Sequence, residues 1–152
     1  MIIAELMQHD VRTCTAGDSL AVPARIMWEH DCGSVPVIGE DGQLTGMITD
    51  RDICMAAYLR GQPLHECTVG DVMSRPAIAT HANDTLAKAE DTMRDNRIRR
   101  LPVVDESGRL TGILSLNDLA LAAQPGGHRQ KDLGSETIAS TLAAICQHRK
   151  AA

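Results

Sequence analysis

Phenylalanine is absent from this chain of 152 residues, and the other aromatics amount to one tryptophan, Trp28, and one tyrosine, Tyr58. A core built without rings has to be aliphatic, drawn from Val, Ile, Leu, Met and Ala. The same shortage removes the stacking platforms on which single-stranded nucleic acid is held. Positive charge is not in excess either. The net charge is −5, and Arg97, Arg99 and Arg100 form the one dense basic cluster, so a nucleic-acid footprint is not expected. No apolar run approaches the ~20 residues that a spanning helix needs. The start, Met1-Ile2-Ile3-Ala4-Glu5, lacks the charged n-region and long apolar stretch of a signal peptide. A cytoplasmic protein with no membrane and no nucleic-acid partner is the expectation.

Cysteine is present but unorganised. The five residues Cys14, Cys32, Cys54, Cys67 and Cys146 are odd in number and include no Cys-x-x-Cys, which argues against a disulfide framework and for reduced thiols. His65-Glu66-Cys67 is the one close His/Cys pairing, short of a zinc ligand set without residues from elsewhere. The histidines are dispersed, and no nucleophile–base pair or glycine-rich nucleotide loop is readable, so no catalytic activity is expected.

What the chain does have is one stretch written twice. Ser34-Val35-Pro36-Val37-Ile38, followed by Asp41-Gly42 and then Leu44-Thr45-Gly46-Met47-Ile48-Thr49-Asp50-Arg51-Asp52, returns 66 residues later. There it reads Arg100-Leu101-Pro102-Val103-Val104, Ser107-Gly108, and Leu110-Thr111-Gly112-Ile113-Leu114-Ser115-Leu116-Asn117-Asp118. Aligned without a gap, residues 7–53 and 73–119 are identical at 14 of 47 positions. Such self-similarity is the mark of a duplicated supersecondary unit.

Each copy reads as β-α-β-β-α. In the first, an extended piece lies around Val11 to Cys14, and Asp18 or Ser19 caps a helix running to about Asp31 with Leu20, Ala24, Met27 and Trp28 on one face. Gly33 ends that region, Val35 to Ile38 and Leu44 to Ile48 form a hairpin about an Asp-Gly turn, and Asp50 opens a helix carrying Ile53, Ala56, Ala57 and Leu59. Gly61-Gln62-Pro63 stops it. The second copy repeats the order: an extended Ala77 to Thr80, a helix capped by Asn83 or Asp84, a second hairpin, and a helix from Leu116. Gln124-Pro125-Gly126-Gly127-His128 breaks the chain, and Ser135 to about Arg149 can form a tail helix with Ile138, Leu142 and Ile145 on one face. Met7, Met27, Met55 and Met93 read as core filler. The expected fold is α+β, with repeats at 4–61 and 68–122 and a linker with C-terminal helix at 123–152.

The ending Gly-x-x-Thr/Ser-x-x-Asp carries readable chemistry. Gly46 and Gly112 let a ligand approach the backbone. Thr49 and Ser115 stand where a helix begins, and a hydroxyl beside free N–H groups at a positive helix end suits a phosphate oxygen. Asp52 and Asp118, three residues on, can accept hydrogen bonds from both hydroxyls of a ribose. The plain alternative is that the hydroxyls are helix caps and the aspartates are favourable first-turn charges.

The apolar-Pro-Val-apolar strand, the Asp-Gly turn and this ending, present in both halves, closely resemble the CBS domain, over about residues 4–122. The resemblance implies two copies packed as a Bateman module about a pseudo-two-fold axis, commonly paired again as a homodimer. It implies a regulatory, non-catalytic sensor of AMP, ADP, ATP or S-adenosylmethionine, bound in clefts between copies, acting through an unidentified protein target. By family position, Arg99 and Arg100 are phosphate contacts, as in the gamma subunit of AMP-activated kinase, and arginine's planar fork suits that role. The first copy has Gly33 and Ser34 there, with Arg51 adding charge nearby, so two unequal sites are expected. Val35 and Leu101, with backbone near Cys14 and Thr80, hold the adenine by the same resemblance. Two other readings are a structural homodimer with degenerate, unoccupied sites and a cysteine-based redox or metal sensor.

Overall fold

Hairpins flanked by helices appear twice in the computed structural model, which describes residues 1–123 and 134–147. The first copy contains α1 (Ala21–Glu29), β1 (Ser34–Ile38), β2 (Leu44–Thr49) and α2 (Asp50–Arg60). The second contains β3 (Thr80–His81), α3 (Leu86–Asn96), β4 (Arg100–Val104), β5 (Leu110–Ser115) and α4 (Leu116–Ala122), and α5 (Ser135–Cys146) follows. The fold is α+β, as the sequence implies. The expected breaker at 124–128 and the end of the tail helix near Arg149 lie outside the described residues.

Strand β1 pairs antiparallel with β2, Val35 opposite Ile48 and Pro36 opposite Met47, with a register shift between Val37 and Ile38. In the second copy β3 runs parallel to β4, which neighbours β5. The expected strand around Val11 to Cys14 shrinks to a single bridge of Cys14 to Val37. Each hairpin turn places its glycine at positive φ, 79° at Gly42 and 81° at Gly108, a region that a side chain opposes.

The chain divides into two compact units that cut across the repeats. One consists of Met1–His9, Ala79–Val104 and Thr111–Ala152, the other of Asp10–Ile78 and Asp105–Leu110. Thus the first nine residues pack with the second copy, and the segment before residue 79 packs with the first. The mechanism is the same in both. Ser74 exchanges backbone hydrogen bonds with Met47 at 2.9 and 3.0 Å, and Gln8 does so with Ile113 at 2.8 and 2.9 Å. Each hairpin so gains a further short edge beside its second strand.

Each unit has its own aliphatic core. Leu20, Met27, Val35, Val37, Ile48, Ile53 and Val69 form one, and Ile3, Leu86, Met93, Leu101, Val103, Leu114 and Leu119 form the other. Helix α5 packs on α3 and α4, placing Ile145 in the second core with Ile138 against it. Several expected core residues lie outside. Trp28 is 89% exposed, Leu59 72%, Leu142 43% and Met55 41%. Three of them sit one step around their helices from a covered position: Met27 beside Trp28, Ala56 beside Met55 and Thr141 beside Leu142; Leu59 lies in the last, exposed turn of α2.

Helix boundaries also move. Neither Asp18 nor Ser19 caps α1, whose preceding residue Leu20 offers no side-chain bond; the Asp18 carboxylate instead accepts from Thr15 N–H at 2.8 Å. Thr85, not Asn83 or Asp84, caps α3. Left-handed geometry after the two helices falls on Asp31 (φ 48°) and Arg97 (φ 53°), again 66 apart, rather than on Gly33.

Candidate ligand-binding site

Strand β2 ends in extended geometry at Thr49 and turns directly into α2. There the Thr49 hydroxyl oxygen accepts from Asp52 N–H at 3.1 Å, while Asp52 Oδ2 accepts from Thr49 N–H at 2.9 Å. This reciprocal capping box satisfies two donors that the helix start would otherwise leave open. Asp52 Oδ1 has no partner among the described residues. Ser34 lies opposite Thr49 in the β1–β2 register, and its hydroxyl is buried without a hydrogen-bond partner. Arg51 projects from the first turn of α2, exposed.

The second copy builds the same box with one more contact. Ser115 Oγ accepts from Asp118 N–H at 3.2 Å, and Asp118 Oδ2 accepts from Ser115 N–H at 2.8 Å and from the Ser115 hydroxyl at 2.6 Å. Asp118 Oδ1 accepts from Gln8 Nε2 at 3.1 Å. Helix α4 has seven residues against eleven in α2, so the macrodipole argument for a phosphate applies to the first copy. Arg99 is exposed and Arg100 partly so, and the described residues offer neither an ion pair. The Arg99 carbonyl accepts Leu116 N–H at 2.9 Å, as the Gly33 carbonyl accepts Asp50 N–H at 3.1 Å. The main chain before each proline is thereby tied to the start of the following helix.

Other expected site residues fall elsewhere. Val35 and Leu101 are wholly buried, one in each aliphatic core, and in this conformation they present no surface to an adenine ring. The backbone of Cys14 is committed to β1, donating to Pro36 and accepting from Ile38. Thr80 is buried, paired with Val103, and its hydroxyl donates to Asp84 at 2.9 Å. The glycines serve a different close approach from the expected one. A Cβ on Gly46 would stand 2.8 Å from the Ser74 carbonyl oxygen, and one on Gly112 would stand 2.9 Å from that of Gln8 and 2.8 Å from Met7 Sδ. The backbone they admit is the chain's own. Ser34 and Gln8 stand beside these boxes although neither is among the expected site residues. The offset of 66 that aligns Ser34 with Arg100 and Gln8 with Ser74 was the available signal.

Cys14 is not poised as a reactive thiol. Burial pushes the Cys14 thiol up to about 12, with Asp18 adding to the effect, which suppresses the thiolate needed for redox or metal chemistry. Cys67 is also buried. Among the described residues no three His, Cys, Asp or Glu side chains converge as a metal site would require. No described helix is long and apolar enough to cross a membrane.

The CBS domain profile matches residues 3–58 and again 69–124. The chain belongs to the CBS domain family. This CBS protein is 30% identical over 142 residues to hypoxic response protein 1 of Mycobacterium tuberculosis, an alignment covering 93% of the chain and 92% of that protein. The crystal structure of hypoxic response protein 1 with two coordinated zinc ions matches at TM-score 0.73 and 30% identity, covering 82% of this chain and all of that one. CBSX2 in complex with AMP matches at TM-score 0.71 and 25% identity, covering 80% and 95%. The CBS domain pair of MJ0100, in complex with 5′-methylthioadenosine and S-adenosylmethionine, matches at 0.69 and 25%, covering 80% and 94%. The chain spans 60% of a Methanopyrus kandleri protein to which it is 33% identical over 117 residues.

Proposed function

We propose that this CBS protein is a non-catalytic sensor of adenosine-containing ligands, with AMP, ADP, ATP and S-adenosylmethionine as the candidates. The observation that carries the reading is the pair of matching Thr/Ser–Asp capping boxes, in which a fixed carboxylate keeps acceptor capacity beyond what its helix uses. Two adjacent ribose hydroxyls are donors suited to such a carboxylate. Thr49 and Ser34 in the first copy, and Ser115 in the second, supply hydroxyls for the same ligand, and Arg51, Arg99 and Arg100 supply charge for phosphate. The buried, unpartnered Ser34 hydroxyl supports a polar occupant, since such groups are costly when left alone. The likeness to structures holding AMP and S-adenosylmethionine supports the ligand class.

Regulation follows when two states of the module differ in affinity, so that ligand shifts their populations before a protein target. A second copy of the chain is the proposed neighbour on the exposed apolar face of α1 and α2, in the cytoplasm. The test is a thermal-shift and calorimetric panel of AMP, ADP, ATP and S-adenosylmethionine. At 100-fold excess over Kd a ligand should raise Tm by roughly 5 °C or more, and Asp52→Ala with Asp118→Ala should erase the rise. A panel without heat or thermal shift would instead favour a structural module with degenerate sites.

A further inference from the structure

The two carboxylates at the heart of the repeated motif are not equally free. A carboxylate has about four lone-pair positions. Asp52 uses one, for Thr49 N–H, and its Oδ1 is open. Asp118 uses three, for the N–H and O–H of Ser115 and for Gln8 Nε2. Two neighbouring hydroxyls of a ribose need two acceptor positions, and Asp118 has one to give. The Ser115 N–H is fixed by the backbone of the capping box. The side chain that can leave is Gln8, which is exposed and held in place by main-chain bonds to Ile113 that do not involve its amide. The first copy has no counterpart of this contact, because the residue at the equivalent place on its hairpin edge is Ser74, whose side chain is shorter by two bonds and makes no bond to Asp52.

We propose that Gln8 is a latch on Asp118. Its carboxamide stands in for a ligand hydroxyl, so the second copy takes a diol-bearing ligand only when Gln8 swings aside, whereas the first copy is open. The first site therefore fills first, and the second fills at higher concentration. This ranking opposes the one that Arg99 and Arg100 suggest on charge alone. The inference rests on the adenosine reading above, in which Asp52 and Asp118 receive the ribose.

AMP titrated calorimetrically into the wild-type chain, Gln8→Leu, Asp52→Asn and Asp118→Asn tests it. The conservative Asn variants retain the capping geometry while removing the charge, and Gln8→Leu keeps side-chain bulk and the backbone pairing with Ile113. Wild type should show a tighter site lost in Asp52→Asn and a weaker one lost in Asp118→Asn. Gln8→Leu should tighten only the weaker site, by about three- to tenfold, with the tighter one unchanged. An Asp118-dependent site that is unchanged or weakened in Gln8→Leu would overturn the latch while leaving the adenosine reading intact. Absence of AMP binding in every protein, Gln8→Leu included, would overturn the latch and remove AMP from the reading beneath it.

Discussion

At the scale of single residues, two carboxyl groups of the second copy give stability opposite dependences on pH. Asp84 is held at about 2, chiefly by the hydrogen bond from Lys88 Nζ and next by His81 N–H, with the Lys88 contact at 2.7 Å. The folded chain thus releases this proton more readily than the unfolded one. Its contribution is full above the ordinary value near 3.8 and is lost as pH falls toward about 2. Glu90 is the reverse. Burial raises its pKa, opposed by Arg94 and reinforced by Asp91, and its Oε1 has no partner. The folded chain holds this proton where the unfolded chain has let it go, so stability declines as pH rises from the ordinary value of 4.5 through the raised one. Glu90→Gln needs no proton and should gain on wild type between pH 4 and pH 7 in urea midpoints. A gap that stays constant over that interval would count against the assignment. Position 90 aligns with Ala24 in the first copy, a charged residue against an apolar one, and only packing reveals that it is covered.

At the scale of elements, the glycines of the repeat show what was legible and what was not. Gly46 and Gly112 stand out in sequence as identical residues inside strands, and a glycine there signals that something comes close. What comes close is Met73-Ser74 in one case and Met7-Gln8 in the other. Neither segment has the alternation that identifies a strand, because each contributes a single bridge and two residues carry no periodicity. The hairpins, by contrast, were readable from their apolar runs and Asp-Gly or Ser-Gly turns. The box pairing Thr49 with Asp52 was readable from a spacing of three. The contact of Gln8 with Asp118 was not, since it spans 110 residues. Gly112→Ala should destabilise the chain by about 1–3 kcal/mol, because backbone atoms cannot yield as a flexible side chain can. Gly46→Ala should cost a similar amount. Denaturant midpoints would check both, and hydrogen exchange should show Gln8 and Ser74 N–H groups losing protection in the respective variants. A silent Gly112→Ala would mean that the edge contact is looser than the 2.9 Å approach implies.

At the scale of the whole molecule, duplicated halves do not end up with equivalent surfaces. Positions 27, 53 and 57 of the first copy align with Met93, Leu119 and Ala123 of the second. Met93 and Leu119 lie on the helices on which α5 packs and Ala123 directly follows α4, with Ile138 and Ile145 in the same apolar cluster. Among the described residues the first copy has no such cover. Between α1 and α2 runs a groove of about 470 Å³ lined by Ala24, Met27, Trp28, Ile53, Ala57 and Leu64 among others, and Tyr58, also on α2, is 79% exposed. A groove of this kind, with the exposed Trp28 on its lining, is what an association surface needs. A second copy docked there would cover Trp28, whose burial is worth more than that of any aliphatic neighbour. Trp28→Glu places a charge at that centre without touching the core, because the side chain is already exposed. It should leave the Tm of the dilute, dissociated chain within about 1 °C while weakening self-association at least tenfold, on the order of 1.4 kcal/mol. Sedimentation velocity across a concentration series checks this directly. A wild-type chain that sediments as a monomer throughout would remove self-association from the reading. A Trp28→Glu dimer as tight as wild type would move it to another face.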